Sequence, residues 1–107
     1  MTECILADLE EYNHDKFVRK EVHVGSRSTS SLLHLLPGQE IPKHSHAGVE
    51  IMLLPQKGEA VLTVDETKKV ALKPGMFFVE LGDGHNFSIQ NDGSEPFQML
   101  AIQVKID

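Results

Sequence analysis

Residues that favour turns recur along this chain at short, regular intervals, and their spacing restricts its possible folds more than any other feature. The turn segments read VGSRSTS, PGQE, HAG, PQKG, DETK, KPG, LGDG and NDGSEP. Short stretches rich in branched and apolar residues lie between them. This pattern is typical of an all-β sandwich or barrel and not of alternating strands and helices. We expect eight or nine short strands, the number found in a jelly roll.

Several of these stretches alternate in polarity with a period of two, as β-strands do. The clearest is FQMLAIQVKI, in which Leu100, Ile102, Val104 and Ile106 alternate with Ala101, Gln103 and Lys105. The stretch GEAVLTVDE is partly apolar on both faces, as expected of a sandwich strand whose outer face is covered. Only DLEEYNHDKF has some helical character, and it lacks a sustained apolar stripe.

Composition and charge argue against several functions. The formal net charge is −6, and the basic residues are scattered instead of clustered. Nucleic-acid binding is therefore not expected, because a phosphate backbone requires a concentrated positive face. The longest apolar stretches, LLHLLP and VEIMLLP, are too short to span a bilayer, and the acidic N-terminus does not read as a signal peptide. We predict a cytoplasmic protein without a membrane partner.

Candidate metal ligands follow a turn in the segment GQEIPKHSHAGVE, residues 38–50. His44 and His46 are two residues apart, so on a strand their side chains point to the same side, ~6.5 Å apart. Glu50 has the same parity, although Gly48 allows a turn or bulge before it. Two neutral imidazoles and a carboxylate suit a divalent first-row metal and leave positions open for water or substrate. The alternative is that all three side chains are solvated at the surface.

A second segment, LKPGMFFVELGDGHNFSIQN, repeats this arrangement. A Pro-Gly turn leads into an apolar strand, and a glycine-rich turn then precedes His85. If the strand after His85 lies beside the strand of His44 and His46, then His85 can supply a fourth ligand. His34 has the parity to point into the barrel, and we expect it to be a hydrogen-bonded core or edge histidine.

The first of these segments resembles the first motif of the cupin superfamily, which consists of small β-barrels. That motif runs Gly, five residues, His-x-His, three or four residues, Glu, six residues, Gly. Gly38, His44, His46 and Glu50 fit the spacing, and Gly58 comes one residue late.

The second cupin motif is matched in part. Gly75 begins it, and Gly82 stands three residues before His85, but the proline of the motif is absent. A rival alignment uses Gly84 and Asn91 and puts Phe87 where the family has its histidine. We favour His85 as the fourth ligand, because a turn can absorb a change in length.

The resemblance covers about residues 30–104 and implies a cupin, with the jelly-roll barrel also called a double-stranded β-helix. The length of 107 residues predicts one domain, and the resemblance places its barrel at about 30–104, after an N-terminal strand segment at 1–29. It also implies a homodimer and a divalent ion, either Fe, Mn, Ni or Zn. The ligands it implies are His44, His46, Glu50 and His85.

The function expected from this resemblance is that of a small metal-binding cupin acting on a small organic molecule as a metalloenzyme. The alternative is a non-catalytic module that binds or senses a small molecule. No residue outside the ligand set stands out as a general acid or base. The sequence therefore identifies no catalytic residue and does not decide whether the protein is an enzyme.

Overall fold

Two antiparallel β-sheets, packed against each other through their apolar faces, make up the fold. The computed structural model describes residues 3–45 and 47–106, with the backbone but not the side chain of Leu81. A four-residue 3-10 helix, Leu6–Leu9, precedes the first strand. The strands of the described residues are β1 Val18–Val24, β2 Ser28–Leu35, β3 Glu40–Ser45, β4 Val49–Lys57, β5 Ala60–Val64, β6 Lys68–Leu72, β7 Phe78–Leu81, β8 Asn86–Gln90 and β9 Phe97–Lys105.

The order of the strands is that of a jelly roll. The larger sheet is ordered β1-β2-β9-β4-β7 and the smaller one β3-β8-β5-β6, with antiparallel pairing throughout the described residues. No pairing within this part of the chain joins the two sheets, so they form a sandwich and not a closed barrel. The predicted all-β, double-stranded β-helix fold is confirmed, and the nine strands described agree with the expected number.

The inner faces of the two sheets share one apolar core. On β4, Ile51 and Leu53 are buried, whereas Met52 and Leu54 are only partly so. The period of two thus places every second side chain of the strand inside the sandwich. Each buried side chain of this size contributes about 1.5–3 kcal/mol. The largest fully buried apolar side chains are Phe97, Leu32, Leu35, Leu62, Leu72 and Met99.

The segment before β1 lies against the outer face of the five-stranded sheet and helps to bury His34. The Tyr12 ring meets the His34 ring edge-on, with centroids 5.2 Å apart. His34 Nδ1 lies 3.4 Å from the Val18 carbonyl oxygen, and its Nε2 lies 3.2 Å from the Gln98 amide nitrogen. His34 is fully buried, so a hydrogen-bonded core histidine was the right expectation. The prediction that its side chain points into the barrel was wrong, because the neighbouring Leu33 is the residue that faces the cavity.

An ion pair also holds this N-terminal segment to the sheet. Lys57 Nζ on β4 lies 2.8 Å from a Glu10 carboxylate oxygen, and the Tyr12 hydroxyl donates to the same oxygen at 2.9 Å. The helical character expected here is confined to the 3-10 helix, since residues 10–17 form neither helix nor strand. Among the described residues, no helix combines the length and apolarity needed to cross a bilayer.

Candidate ligand-binding site

A cavity of about 360 Å³ lies between the two sheets. This volume is within the range of pockets that hold small organic molecules. The buried part of its wall is apolar except for Ser31 and comes from both sheets: Ile41, Ile51, Leu53, Leu62, Phe87 and Ile89. The polar side chains that line it are Arg19, Thr29, Ser31, Lys43, His44 and Gln103.

Strand register explains which residues of the five-stranded sheet face this cavity. Gln103 on β9 is opposite Thr29 on β2 and opposite Ile51 on β4. Residues directly opposite each other in neighbouring strands share a face of the sheet. Ala101 lies two residues before Gln103 and is opposite Leu53 in the same way. On each of the adjacent strands β2, β9 and β4, the odd-numbered residues therefore form this wall of the cavity.

His44 is the predicted ligand that the structure places in the cavity wall. It lies on β3, is partly buried, and is opposite Phe87 on β8. Its Nδ1 lies 2.8 Å from the Pro42 carbonyl oxygen. A carbonyl oxygen only accepts hydrogen bonds, so Nδ1 carries the proton and the lone pair of the neutral ring is on Nε2. His46 lies outside the described residues.

Glu50 belongs to the other face of the five-stranded sheet. Side chains along β4 point alternately to the two faces of the sheet, and the residues of β4 that line the cavity are Ile51 and Leu53. Glu50, next to Ile51, therefore points away from the cavity. Glu50 is opposite Val104, whereas Ile51 is opposite the cavity residue Gln103. The inward positions at the start of β4 are therefore occupied by Val49, which packs against the core, and by Ile51.

The turn after β4 supports this register. Gly58 has a φ of +71°, and a Cβ at this position would overlap the Pro96 carbonyl oxygen. The backbone therefore requires glycine here. Six residues separate Ile51 from Gly58, which is the spacing that the first cupin motif gives between its glutamate and its second glycine. In this chain the motif's carboxylate position thus coincides with Ile51.

His85 does not line the cavity, and its hydrogen-bond partner is Asp65. It donates from Nδ1 to Asp65 Oδ2 at 2.7 Å, and the other Asp65 oxygen accepts the backbone N–H of Asn86 at 2.8 Å. This hydrogen bond raises the pKa of His85 and lowers the pKa of Asp65. Phe87, two residues further along β8, is the residue that lines the cavity.

The described residues do not bring the predicted metal ligands together. His44 faces the cavity, Glu50 lies on the opposite face of its sheet, and His85 is bonded to Asp65. Within residues 3–45 and 47–106, no three His, Cys, Asp or Glu side chains are arranged to hold a metal ion. The described part of the chain therefore does not fit the four-ligand set, and metal binding stays a prediction.

Sequence reasoning missed two basic residues of the cavity wall, Arg19 and Lys43. Arg19 lies two residues after the cavity residue Phe17, so its parity was readable from KFVRKEVHV. What the sequence did not reveal is that β1 pairs with β2, which brings Arg19 opposite the cavity residue Leu33.

The antiparallel sandwich and the apolar cavity between its sheets define a small double-stranded β-helix protein. A sequence profile of the cupin domain matches residues 31–103. The chain belongs to the cupin family. No protein with a curated description matches the sequence significantly.

Solved structures resemble this fold over nearly its whole length. A protein of Thermus thermophilus is 28% identical, with a TM-score of 0.89 and coverage of 98% of both chains. A conserved Klebsiella pneumoniae protein with a double-stranded β-helix domain is 22% identical, with a TM-score of 0.88 and coverage of 96% of this chain and 84% of its own. An RmlC-like cupin of Desulfovibrio desulfuricans is 19% identical, with a TM-score of 0.83 and coverage of 97% and 96%. The last two show the fold alone.

Proposed function

We propose that this protein is a cupin that binds a small organic molecule in the cavity between its sheets, without turning it over. One observation carries this proposal: apolar side chains, Ile51 and Phe87, face the cavity at the positions where the motifs allow metal ligands. A mostly apolar cavity with a few polar groups is the usual form of a small-molecule site. The protein then acts as a binding or sensing module.

The physical basis of binding is the removal of apolar surface from water. Each Å² of apolar surface buried contributes about 25 cal/mol, against which the loss of translational and rotational freedom must be set. The buried walls of the cavity, which include Leu53, Leu62 and Ile89, offer this surface from both sheets.

Filling the cavity tests the proposal. Ala101 lines it, and Ala101→Phe would occupy the space that a ligand needs. Ala71→Phe is the matched control, because Ala71 is exposed on β6 and does not line the cavity. We expect saturation-transfer NMR to detect binding from a panel of small alcohols, amides and carboxylates to the wild type and to Ala71→Phe. Binding should be lost in Ala101→Phe, and equal binding by all three proteins would refute the proposal.

A divalent metal is the second candidate, and the position of His44 favours it. The hydrogen bond from Nδ1 to the Pro42 carbonyl fixes the ring and leaves a lone pair on Nε2. Metal-binding histidines typically make a hydrogen bond of this kind through their other nitrogen. A ferrous, manganous, nickel or zinc ion would be held by His44 and by the predicted ligand His46. Such an ion would supply Lewis acidity if the protein were a metalloenzyme.

Elemental analysis of protein prepared without a histidine tag tests the metal candidate. We expect bound metal in the wild type to exceed that in the double variant His44→Ala/His46→Ala. The double variant His14→Ala/His23→Ala is the control, because both of these histidines are exposed. Equal metal content in all three proteins would exclude a site at His44.

We also propose that the protein is a homodimer. Apart from Glu50, the outer face of β4 and β9 carries apolar side chains that are only partly buried, which supports its contact with a second copy: Met52, Leu54, Leu100, Ile102 and Val104. Val79 on the neighbouring strand β7 is 44% exposed. Sedimentation should show a dimer that Ile102→Glu dissociates and that Val24→Glu, an exposed position on β1, leaves intact. A monomeric wild type would overturn this proposal.

A further inference from the structure

The ionisable side chains that line the cavity are all basic. They are Arg19, Lys43 and His44, and no Asp or Glu is among the described residues of the wall. The chain as a whole has the opposite balance, with 16 acidic and 10 basic residues. The charge at the cavity is therefore opposite in sign to the net charge of the protein.

Two of these basic residues, Arg19 and Lys43, lie at the mouth of the cavity. Arg19 and Lys43 are exposed, whereas apolar members of the same wall, such as Leu62 and Phe87, are buried. Arg19 is on β1, an edge strand of the larger sheet, and Lys43 is on β3, an edge strand of the smaller sheet. Both sheets therefore contribute positive charge where the cavity opens to solvent.

The two basic residues differ in their existing contacts. Lys43 Nζ lies 2.5 Å from a Glu66 carboxylate oxygen, so its charge is partly compensated. The Arg19 guanidinium has no ion-pair partner within residues 3–45 and 47–106. Arg19 is therefore the stronger candidate to meet an anionic group of a ligand.

Polar groups continue from the mouth along the larger sheet. Thr29 and Ser31 on β2 line the cavity, and Gln103 on β9 lies opposite Thr29. These side chains can donate hydrogen bonds to oxygen atoms of a ligand. Beyond them the wall is apolar, so the cavity changes from a basic mouth to an apolar floor.

We propose, resting on the function proposed above, that the ligand is a small organic monocarboxylate with an apolar body. The carboxylate meets Arg19 at the mouth, since a guanidinium can form two parallel hydrogen bonds to a carboxylate. The apolar body lies against Leu53, Leu62 and Phe87. A neutral molecule of the same shape lacks the charge-assisted hydrogen bonds to Arg19, and an ammonium analogue is repelled by the basic mouth.

Calorimetry with three probes of equal chain length tests this assignment. Octanoate, 1-octanol and octylamine differ only in their head groups. We expect the wild type to bind octanoate roughly fivefold or more tightly than 1-octanol at low salt, and octylamine more weakly than either. The preference for octanoate should shrink as the salt concentration rises, because Arg19 is exposed.

Variants of arginine identify the residue responsible. Arg19→Gln should reduce octanoate affinity to that of 1-octanol, without changing 1-octanol affinity, whereas Arg19→Lys should retain part of the preference. Arg27→Gln, a change outside the cavity wall, should behave as the wild type. Equal affinities in the wild type, or a preference that survives Arg19→Gln, would overturn the carboxylate assignment and leave the cavity proposal standing. Absence of binding of all three probes to the wild type would overturn both.

Discussion

Glu50 and Ile51 are neighbours on β4, and their side chains leave the five-stranded sheet on opposite faces. Ile51 is 6% exposed and lines the cavity, while Glu50 shares a face with Val104. Because the two residues alternate in this order, β4 presents an alkyl side chain to the cavity at this point and not a carboxylate. An alkyl side chain there favours an apolar ligand and withholds a carboxylate from a metal at His44.

The first prediction concerns the two predicted metal ligands that lie outside the cavity wall. If the protein binds a divalent ion through His44, we expect Glu50→Gln and His85→Asn to leave zinc affinity within about twofold of the wild type. His44→Ala should lower that affinity by about tenfold or more, as loss of an important metal-site group does. Calorimetric titration of metal-free protein measures this. A large loss of zinc affinity in Glu50→Gln or His85→Asn would contradict this prediction and support the four-ligand set implied by the sequence.

The second prediction is that moving the carboxylate one residue along β4 creates a stronger metal site. Ile51→Glu buries an ionisable group and should lower the free energy of unfolding by roughly 2–4 kcal/mol without metal. Zinc should then offset most or all of this loss, since binding at a hundredfold excess over the Kd contributes about 2.7 kcal/mol. Urea unfolding with and without zinc measures both effects.

Leu53→Glu is the matched control for that experiment. Leu53 is 4% exposed and lines the cavity from the same strand as Ile51, but two residues further along the chain from His44. We expect a similar loss of stability and no recovery with zinc. Equal recovery in the two variants would indicate that zinc binds without using the position of Ile51.

The third prediction is a decrease in stability at acidic pH caused by His34. Burial lowers the pKa of His34, against the opposing effects of the Val18 carbonyl and of Glu10 and Glu11, while Lys20 lowers it further. The unfolded chain therefore takes up a proton more readily than the folded protein. The contribution of neutral His34 is fully present above about pH 6.5, the ordinary pKa, and is lost progressively as pH falls below that value and through the lowered pKa of the folded state.

Urea unfolding at pH 7.5 and pH 5.5 measures this effect. His34→Gln should lower stability at pH 7.5 and should show a smaller further decrease at pH 5.5 than the wild type. His14→Gln, a change at an exposed histidine, should retain the wild-type decrease. If His34→Gln and the wild type lost the same free energy between the two pH values, another group would be responsible.

The fourth prediction compares two fully buried leucines. Leu62 borders the cavity, whereas Leu35 is packed in the core away from it. Leucine-to-alanine changes at buried sites cost about 2–5 kcal/mol. We expect Leu35→Ala at the upper end of this range and Leu62→Ala at the lower end, because a side chain beside a void has fewer contacts to lose. Thermal unfolding checks the order, and the reverse order would argue that the cavity is closed by repacking.

Much of the fold was predictable because it depends on local patterns. Turn residues mark where strands end, and the period of two in FQMLAIQVKI shows directly in β9, where Ala101 and Gln103 line the cavity. The inward orientation of His44 was also predictable from the sequence, because His44 lies on a short strand that follows a turn at Gly38, whose φ is +87°. The order of the strands within the two sheets was not predicted.

The candidate site was predictable only in part, because a shift of one residue moves a strand's side chains to the other face. Between His44 and Glu50 the chain passes through a turn at Gly48, whose φ is +78°. Parity counted across that turn predicted an inward Glu50, and parity within β4 gives Ile51. His85 likewise depends on a partner, Asp65, that lies 20 residues away in the sequence.

The sequence by itself determined that this chain forms short strands with alternating faces, because turn propensity and side-chain alternation act over a few neighbouring residues. Only the tertiary structure decided which faces meet. Pairing of β1 with β2 brings Arg19 to the cavity, and pairing of β4 with β9 turns Ile51 inward. Such contacts join residues far apart along the chain and depend on how all the strands pack together.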